Sequence, residues 1–446
     1  MRPPHSSRSR RSLLRGLAVG SATGLTGLAG CLDALPRQNP PMTPNASEIP
    51  PPQYAGYTHT QSSGNHRVDG VGDITEAKPV DVEVPGTPVW AAGTDFLSGG
   101  GSDHSQWAVV LDDGRVFGFR VTLDGRVESG RMGPETIDGP PVVSAEAARL
   151  LTHPESSPHT HPFPVYTRLV TVGEDGTVVA HEVPDRDHER REFDVGALPD
   201  ARIVAPGDTL FLFGDATDEY GHGVLGDSLE GGSIVVLDRQ NDWAVSRLSP
   251  PEGTVFEGIA PIVADLEYDR PWQAIATASD AEDGARVVAI DTETEAIRSG
   301  PPIGTGNRWR HTLAVGNFGP NEEREIAAVR TPHIGGVAEF YRGTDDALEL
   351  VATDDGGYQS HVLGSRNLDG GLAGQFAGDT QDLLAVPTRD RTELAVLRRV
   401  STGVERYTML SLGGELTTNL AGASSAGDYA IAAGVDGSVR FWVANR

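Results

Sequence analysis

Three short stretches bring together side chains with chemistry to offer. Thr152-His153-Pro154-Glu155-Ser156-Ser157-Pro158-His159-Thr160-His161-Pro162 holds three histidines and a carboxylate in a Pro-rich loop. His159 and His161, with Glu155 nearby, are the donor types that zinc or copper takes. A solvent-exposed polar insertion explains the same residues more simply. Ala264-Asp265-Leu266-Glu267-Tyr268-Asp269 alternates acidic and other residues, so Asp265, Glu267 and Asp269 would turn several oxygens toward one hard cation such as calcium. Arg270 and Pro271 stand where such a loop wants a glycine, so the loop reads as decayed, with calcium optional and no cofactor required. Arg308-Trp309-Arg310-His311 offers a stacking ring between guanidinium groups, suited to an anionic or sugar ligand on a surface; a buried wedge is the competing reading of Trp309. No nucleophile elbow, phosphate loop or zinc-protease motif occurs. Carboxylates are so frequent that no pair of them singles out an acid and a base.

The N-terminus carries an address. Ser9-Arg10-Arg11-Ser12-Leu13-Leu14 precedes a weakly apolar run from Gly16 to Ala29, and Arg10 and Arg11 give it the look of a twin-arginine export signal. The run is too short and too polar for a permanent membrane span. Leu28-Ala29-Gly30-Cys31 resembles a lipobox, with the Cys31 thiol as the group that takes the lipid. Cys31 is the single cysteine, so there is no disulfide framework. Residues 32–66 contain Pro36, Pro40, Pro41, Pro44 and Pro50-Pro51-Pro52 and read as an extended tether. Asn45-Ala46-Ser47 on that tether is a glycosylation sequon. The expected layout is a signal over residues 1–30, a lipidated tether over 31–66 and one domain over 67–446, held outside the cytoplasm on the outer face of the cell membrane.

Charge narrows the class further. The 446 residues carry a net charge of −27, with 63 acidic and 36 basic side chains. Residues 1–30 contain five arginines and no acid, so their removal takes the charge from −27 to −32. Lys78 is the only lysine. Self-repulsion of this size opposes compaction, and molar salt, with a Debye length of ~3 Å, screens it. The composition resembles that of secreted proteins of extreme halophiles; a GC-rich genome would also replace lysine by arginine. Nucleic acid is excluded as a partner, because phosphates need basic residues.

Behind these residues lies one repeated unit. An apolar run, a Gly- or Asp-rich turn and a second alternating run recur, as in Asp113-Gly114-Arg115-Val116-Phe117, Asp175-Gly176-Thr177-Val178-Val179 and Asp436-Gly437-Ser438-Val439-Arg440. Glycines 114, 176, 232, 284, 336 and 437 are 62, 56, 52, 52 and 101 residues apart; the last gap is double because Thr392 replaces glycine in the sixth copy. A period near 50 residues with no convincing amphipathic helix predicts an all-β, seven-bladed β-propeller. The chain stops after the third strand of the last copy, so Val80–Val84 is predicted to supply its fourth and close the ring.

Ala264-Asp265-Leu266-Glu267-Tyr268-Asp269, Val315-Gly316-Asn317-Phe318-Gly319 and Asn367-Leu368-Asp369-Gly370, each ahead of an apolar strand, resemble the FG-GAP/VCBS repeat of integrin-type propellers. The resemblance implies the propeller fold and, in the acidic loop, calcium. The expected function is that of a membrane-anchored binding or scaffold module, presenting one disc face to a protein or glycan partner. The alternative is a propeller enzyme, either a quinone-dependent dehydrogenase or a polysaccharide-active one, which would need convergent polar groups and a cofactor-sized pocket on the axis.

Overall fold

The computed structural model describes residues 55–96, 104–130, 132–133, 136–144, 149–165, 168–182, 190–268, 272–424 and 428–444. Arg10, Arg11, Cys31, Asn45 and Asp269 lie outside them. The chain divides into Met1–Thr43 and Pro44–Arg446, and every described residue belongs to the second unit. All assigned elements among these residues are β-strands.

The glycine turns set the reversals. Gly114 has φ 81° and its N–H donates to Leu111 O at 2.9 Å, so His104–Leu111 turns back as Val116–Thr122. A Cβ is disfavoured at that φ, and Gly176, Gly284 and Gly437 share it, whereas Gly232 and Gly336 are strand residues without it. In the sixth copy Arg391 takes the left-handed conformation, at φ 57°. The strand leaving each turn pairs antiparallel with the one before it. These strands are Val116–Thr122, Thr177–Glu182, Glu230–Asp238, Arg286–Asp291, Gly336–Gly343, Glu393–Val400 and Ser438–Ala444.

Four-stranded antiparallel order is plainest in three sheets: Pro88–Gly93 through Val127–Gly130, Phe163–Val165 through Arg191–Asp194, and Arg310–Gly316 through Leu348–Tyr358. The strand Pro79–Glu83 pairs antiparallel with Ser438–Ala444, Pro79 opposite Trp442 and Glu83 opposite Ser438. The C-terminal sheet therefore takes its fourth strand from the N-terminal side, as the sequence predicts. Small and β-branched residues dominate the inner strands; Gln273–Ser279 and Tyr429–Val435 are buried at every position. Sheets pack face to face through apolar clusters. Trp107 of the first sheet meets Phe441 of the last edge to face, at 5.3 Å between centroids.

The tether ends earlier than its composition suggests. Past Pro52 the chain enters the body: Ala55–Gly56 pairs with Val143–Ser144, and Tyr57, Thr58, His59, Ser63, Asn65 and His66 are buried. This segment crosses the inner strands. Ala205 N donates to Ser62 O at 2.7 Å, Val263 N to Ser63 O at 2.9 Å, and Ala373 N to His66 O at 2.7 Å. The Asn65 side chain exchanges two hydrogen bonds of 2.9 Å with the Val315 backbone. The continuation Arg67–Val71 adds in parallel to Leu372–Gln375. Buried backbone groups need partners, and the inner strands supply them to a segment that looks like linker.

Candidate functional site

A charged centre forms where the 57–66 segment meets the starts of the inner strands. Asp369, just ahead of Leu372–Gln375, receives Arg202 Nη1 at 2.8 Å and His66 Nε2 at 3.0 Å. Arg202 also donates from Nη2 to Arg366 O at 2.8 Å. Burial alone would raise the Asp369 carboxyl; the Arg202 and His66 charges outweigh that and hold it well below the usual carboxylate range. Neutral rings surround the pair. His59 stacks on Tyr57 at 5.0 Å, and Trp309 stacks on His311 at 4.9 Å. Burial pushes the pKa values of His59 and His311 far down, that of His161 to about 3 and that of His361 to about 4. His59 Nε2, His66 Nδ1, Arg202 Nε and Trp309 Nε1 have no partner among the described residues. They surround a cavity of about 40 Å³, space for only a few water molecules.

At the other end of the same strands lies an open cleft of about 400 Å³. Its lining joins the amides Gln61, Asn65 and Asn317 with Ser63, Arg67, Asp265, Arg324 and Trp272. Ala264 and Gly316, which end their inner strands, form its floor. Trp272 is 46% exposed and neighbouring Tyr268 is 55% exposed. Tyr268 holds φ 63°, its ring lies 4.0 Å from the Arg324 guanidinium, and its hydroxyl donates to Asn317 Oδ1 at 2.9 Å. A bulky residue held in the left-handed region is strained, and such strain gathers at ligand sites. The arrangement offers an apolar platform beside amide, hydroxyl and guanidinium groups.

A third cluster joins a serine, a glutamate and a histidine. Glu257 accepts from Ser279 Oγ and lies 2.7 Å from His222 Nδ1, so the carboxylate stands between hydroxyl and imidazole. The carboxylate, not the histidine, is the group in contact with the Ser279 hydroxyl. Nearby Glu230 is buried and, close to Glu257, is pushed up to about 9. It therefore carries its proton at neutral pH.

The sequence-derived sites land differently from expectation. Asp265 and Glu267 do not converge on one cation position. Asp265 Oδ2 pairs with Arg324 at 3.2 Å, and Glu267 pairs with Arg298. Trp309 and Arg310 are not on a ligand face. Trp309 is buried in an apolar cluster with Val224 and Leu368, while Arg310 is spent on Glu339 at 2.8 Å and on the carbonyls of Ala285 and Pro301. Arg308 is exposed. His159 is exposed, whereas His161 is buried 5.9 Å from His59, so the two do not share a metal position. His153 and Glu155 instead meet His181, which lies 3.7 Å from Glu155 Oε2.

The repeat-like loops also divide. Those at Asp265 and at Val315–Asn317 stand at the ends of Ile262–Ala264 and Arg310–Gly316 and share the cleft. Asn367–Gly370 precedes its first strand and supplies Asp369 to the opposite end. His59, His66, Arg202 and Asp369 escaped sequence reasoning as a group because 310 residues separate His59 from Asp369. The one available signal was two histidines inside an otherwise polar linker.

No family model and no curated relative matches the chain. Among solved structures, the chain is similar to a quinohemoprotein alcohol dehydrogenase from Comamonas testosteroni, at 10% identity and TM-score 0.52, over 87% of this chain and 80% of that one. BamB from Moraxella catarrhalis aligns at 12% identity and TM-score 0.42, over 82% and 99% of the two chains. The Dos1 propeller aligns at 10% identity and TM-score 0.41, over 84% and 97%. At such identities a likeness shows fold and nothing more. The fold is a β-propeller.

Proposed function

We propose that this protein is a membrane-anchored, extracytoplasmic binding propeller of seven blades, closed by the strand Pro79–Glu83. Cys31 would hold it by lipid, after export directed by Arg10 and Arg11, and the cleft end would meet a glycan or protein partner. One observation carries the reading. The charged chemistry around Asp369 encloses only about 40 Å³, whereas the exposed Trp272 lines an open cleft of about 400 Å³, with the exposed Tyr268 beside it. A stacking ring beside amides and guanidinium groups suits polyhydroxylated or peptide surfaces.

The likeness to a quinohemoprotein dehydrogenase raises the enzyme alternative. Convergent polar residues are present on the axis, but pockets for small organic ligands start near ~300 Å³, and the axial cavity has about 40 Å³. A quinone does not fit among His59, His66, Arg202 and Trp309 as they stand.

Glycan-array binding in molar salt tests the proposal, with membrane fractionation in parallel. Wild type should bind defined glycans and remain with membranes. Trp272→Ala should lose the glycans while staying membrane-bound, and Cys31→Ser should release a binding-competent protein into the medium. Equal binding by Trp272→Ala, or retention of Cys31→Ser, contradicts the corresponding half.

A further inference from the structure

We propose that His153, Glu155 and His181 form a site for a divalent transition-metal ion, zinc or copper(II). Among the described residues these are the His, Cys, Asp and Glu side chains that group closely enough to share an ion, with one ligand atom of each within 4.8 Å of the others. The strand Thr177–Glu182 supplies His181, and the Pro-rich loop folds back to supply the other two. A turn closed by Ser156 N donating to His153 O at 3.1 Å, then Ser157 N donating to Val172 O at 2.8 Å, ties that loop to the sheet. The His153 and His181 rings stack with their centroids 3.6 Å apart, so a small tilt of either ring is enough to turn both toward one ion.

The ligand types choose the metal. Two imidazoles and one carboxylate suit borderline ions, whereas calcium and magnesium ask for an all-oxygen shell. Three protein ligands leave a tetrahedral ion one position for water or a small anion. His181 is buried, His153 half-buried and Glu155 exposed, so an ion has an entry path from the Glu155 side. Glu155 N donates to His153 Nδ1 at 3.2 Å, which leaves His153 Nε2 for the ion, and two further contacts compete with it. Thr171 Oγ1 lies 2.8 Å from His181 Nε2, and Arg190 Nη2 donates to Glu155 Oε2 at 3.0 Å. Arg190 is half exposed and can swing clear, so it sets the affinity downward without closing the site.

Titration calorimetry of the full-length protein with zinc chloride tests this. Wild type should bind one equivalent, excess calcium chloride should not displace it, and zinc should raise the melting temperature. His153→Ala and His181→Ala should each weaken binding by more than ~10-fold. Arg190→Ala, which removes no ligand, should tighten it, and this variant keeps the test open if a histidine variant fails to fold. No saturable zinc binding by wild type, affinity unchanged in both histidine variants, or weaker binding in Arg190→Ala would overturn the assignment.

Discussion

Arg202 and Asp369 stand 167 residues apart in sequence and meet at 2.8 Å, with side chains 2% and 3% exposed. Taking two charges so far from water is costly unless each is paired and hydrogen-bonded. His66 Nε2 on the second carboxylate oxygen and Arg366 O on the guanidinium supply the remaining bonds. The pair ties the start of Leu372–Gln375 to the loop ahead of Thr209–Thr217, and through Thr58 and His66 it holds the 57–66 segment between them.

Removing one partner should therefore cost more than removing a surface ion pair. Arg202→Met leaves Asp369 with His66 alone, and a loss of about 3–5 kcal/mol is expected. Chemical denaturation in molar salt measures it. Asp369 is depressed in the folded state, so its stabilisation is complete above about 3.8 and fades as pH falls from there toward the lower folded value. Wild type should show that acid step and Asp369→Asn should lack it.

The buried histidines give a second dependence at milder pH. His161 is pushed down to about 3 and His361 to about 4, against an ordinary value of 6.5, and His59 and His311 are also lowered by burial. The unfolded chain takes up protons that the folded chain refuses. Their contribution is complete above about 6.5 and is lost as pH falls toward 4, by up to about 1.4 kcal/mol per pH unit for each ring. Melting temperature should drop steeply between pH 6.5 and 4.5, and His161→Gln should flatten the curve. A flat wild-type curve would show that the rings become charged in place.

Glu230 runs the other way. Its folded pKa, near 9, lies above the ordinary 4.5, so its own contribution to stability is largest below about 4.5 and falls as pH rises toward 9. The amide in Glu230→Gln has no proton to lose. That variant should be more stable than wild type at pH 8, by up to about 1.4 kcal/mol for each pH unit above 4.5, with little difference at pH 4. Paired melts at those two values check it.

Much of the scaffold was legible, and the reason is local. Asp113-Gly114 and Asp436-Gly437 specify hairpins by backbone conformation alone, and alternation after each turn specifies a strand; both are properties of five or six adjacent residues. Val80–Val84 was legible because an incomplete last sheet demands a partner. The axial centre was not, since Arg202 and Asp369 acquire their meaning only when distant loops converge. Of the two readings of Trp309 the buried wedge is borne out and the ligand face is not, because Arg310 beside it turns inward to Glu339. The 57–66 segment was read as linker because its polar groups are satisfied by inner strands that local composition does not reveal.

Salt should govern the stability of the whole body. With 63 acidic and 36 basic residues the folded chain repels itself, and arginine pairs such as Arg440 with Asp81 offset only part of that. Lowering salt from about 1 M to about 0.1 M lengthens the screening distance from ~3 Å to ~10 Å, and the melting temperature should fall. A melting temperature indifferent to salt would remove the halophile reading.

Site-specific photo-crosslinking in native membranes tests the cleft as partner face most directly. A photoreactive aromatic side chain, which keeps a stacking ring, replaces Trp272 at the cleft in one protein and Ile334, 64% exposed in the loop between Glu325–Arg330 and Gly336–Gly343, in another. The prediction is a discrete adduct, protein or glycan by its mass, from position 272 and none from position 334. Adducts from 334 with none from 272 would contradict it and move the binding face to the opposite end of the propeller.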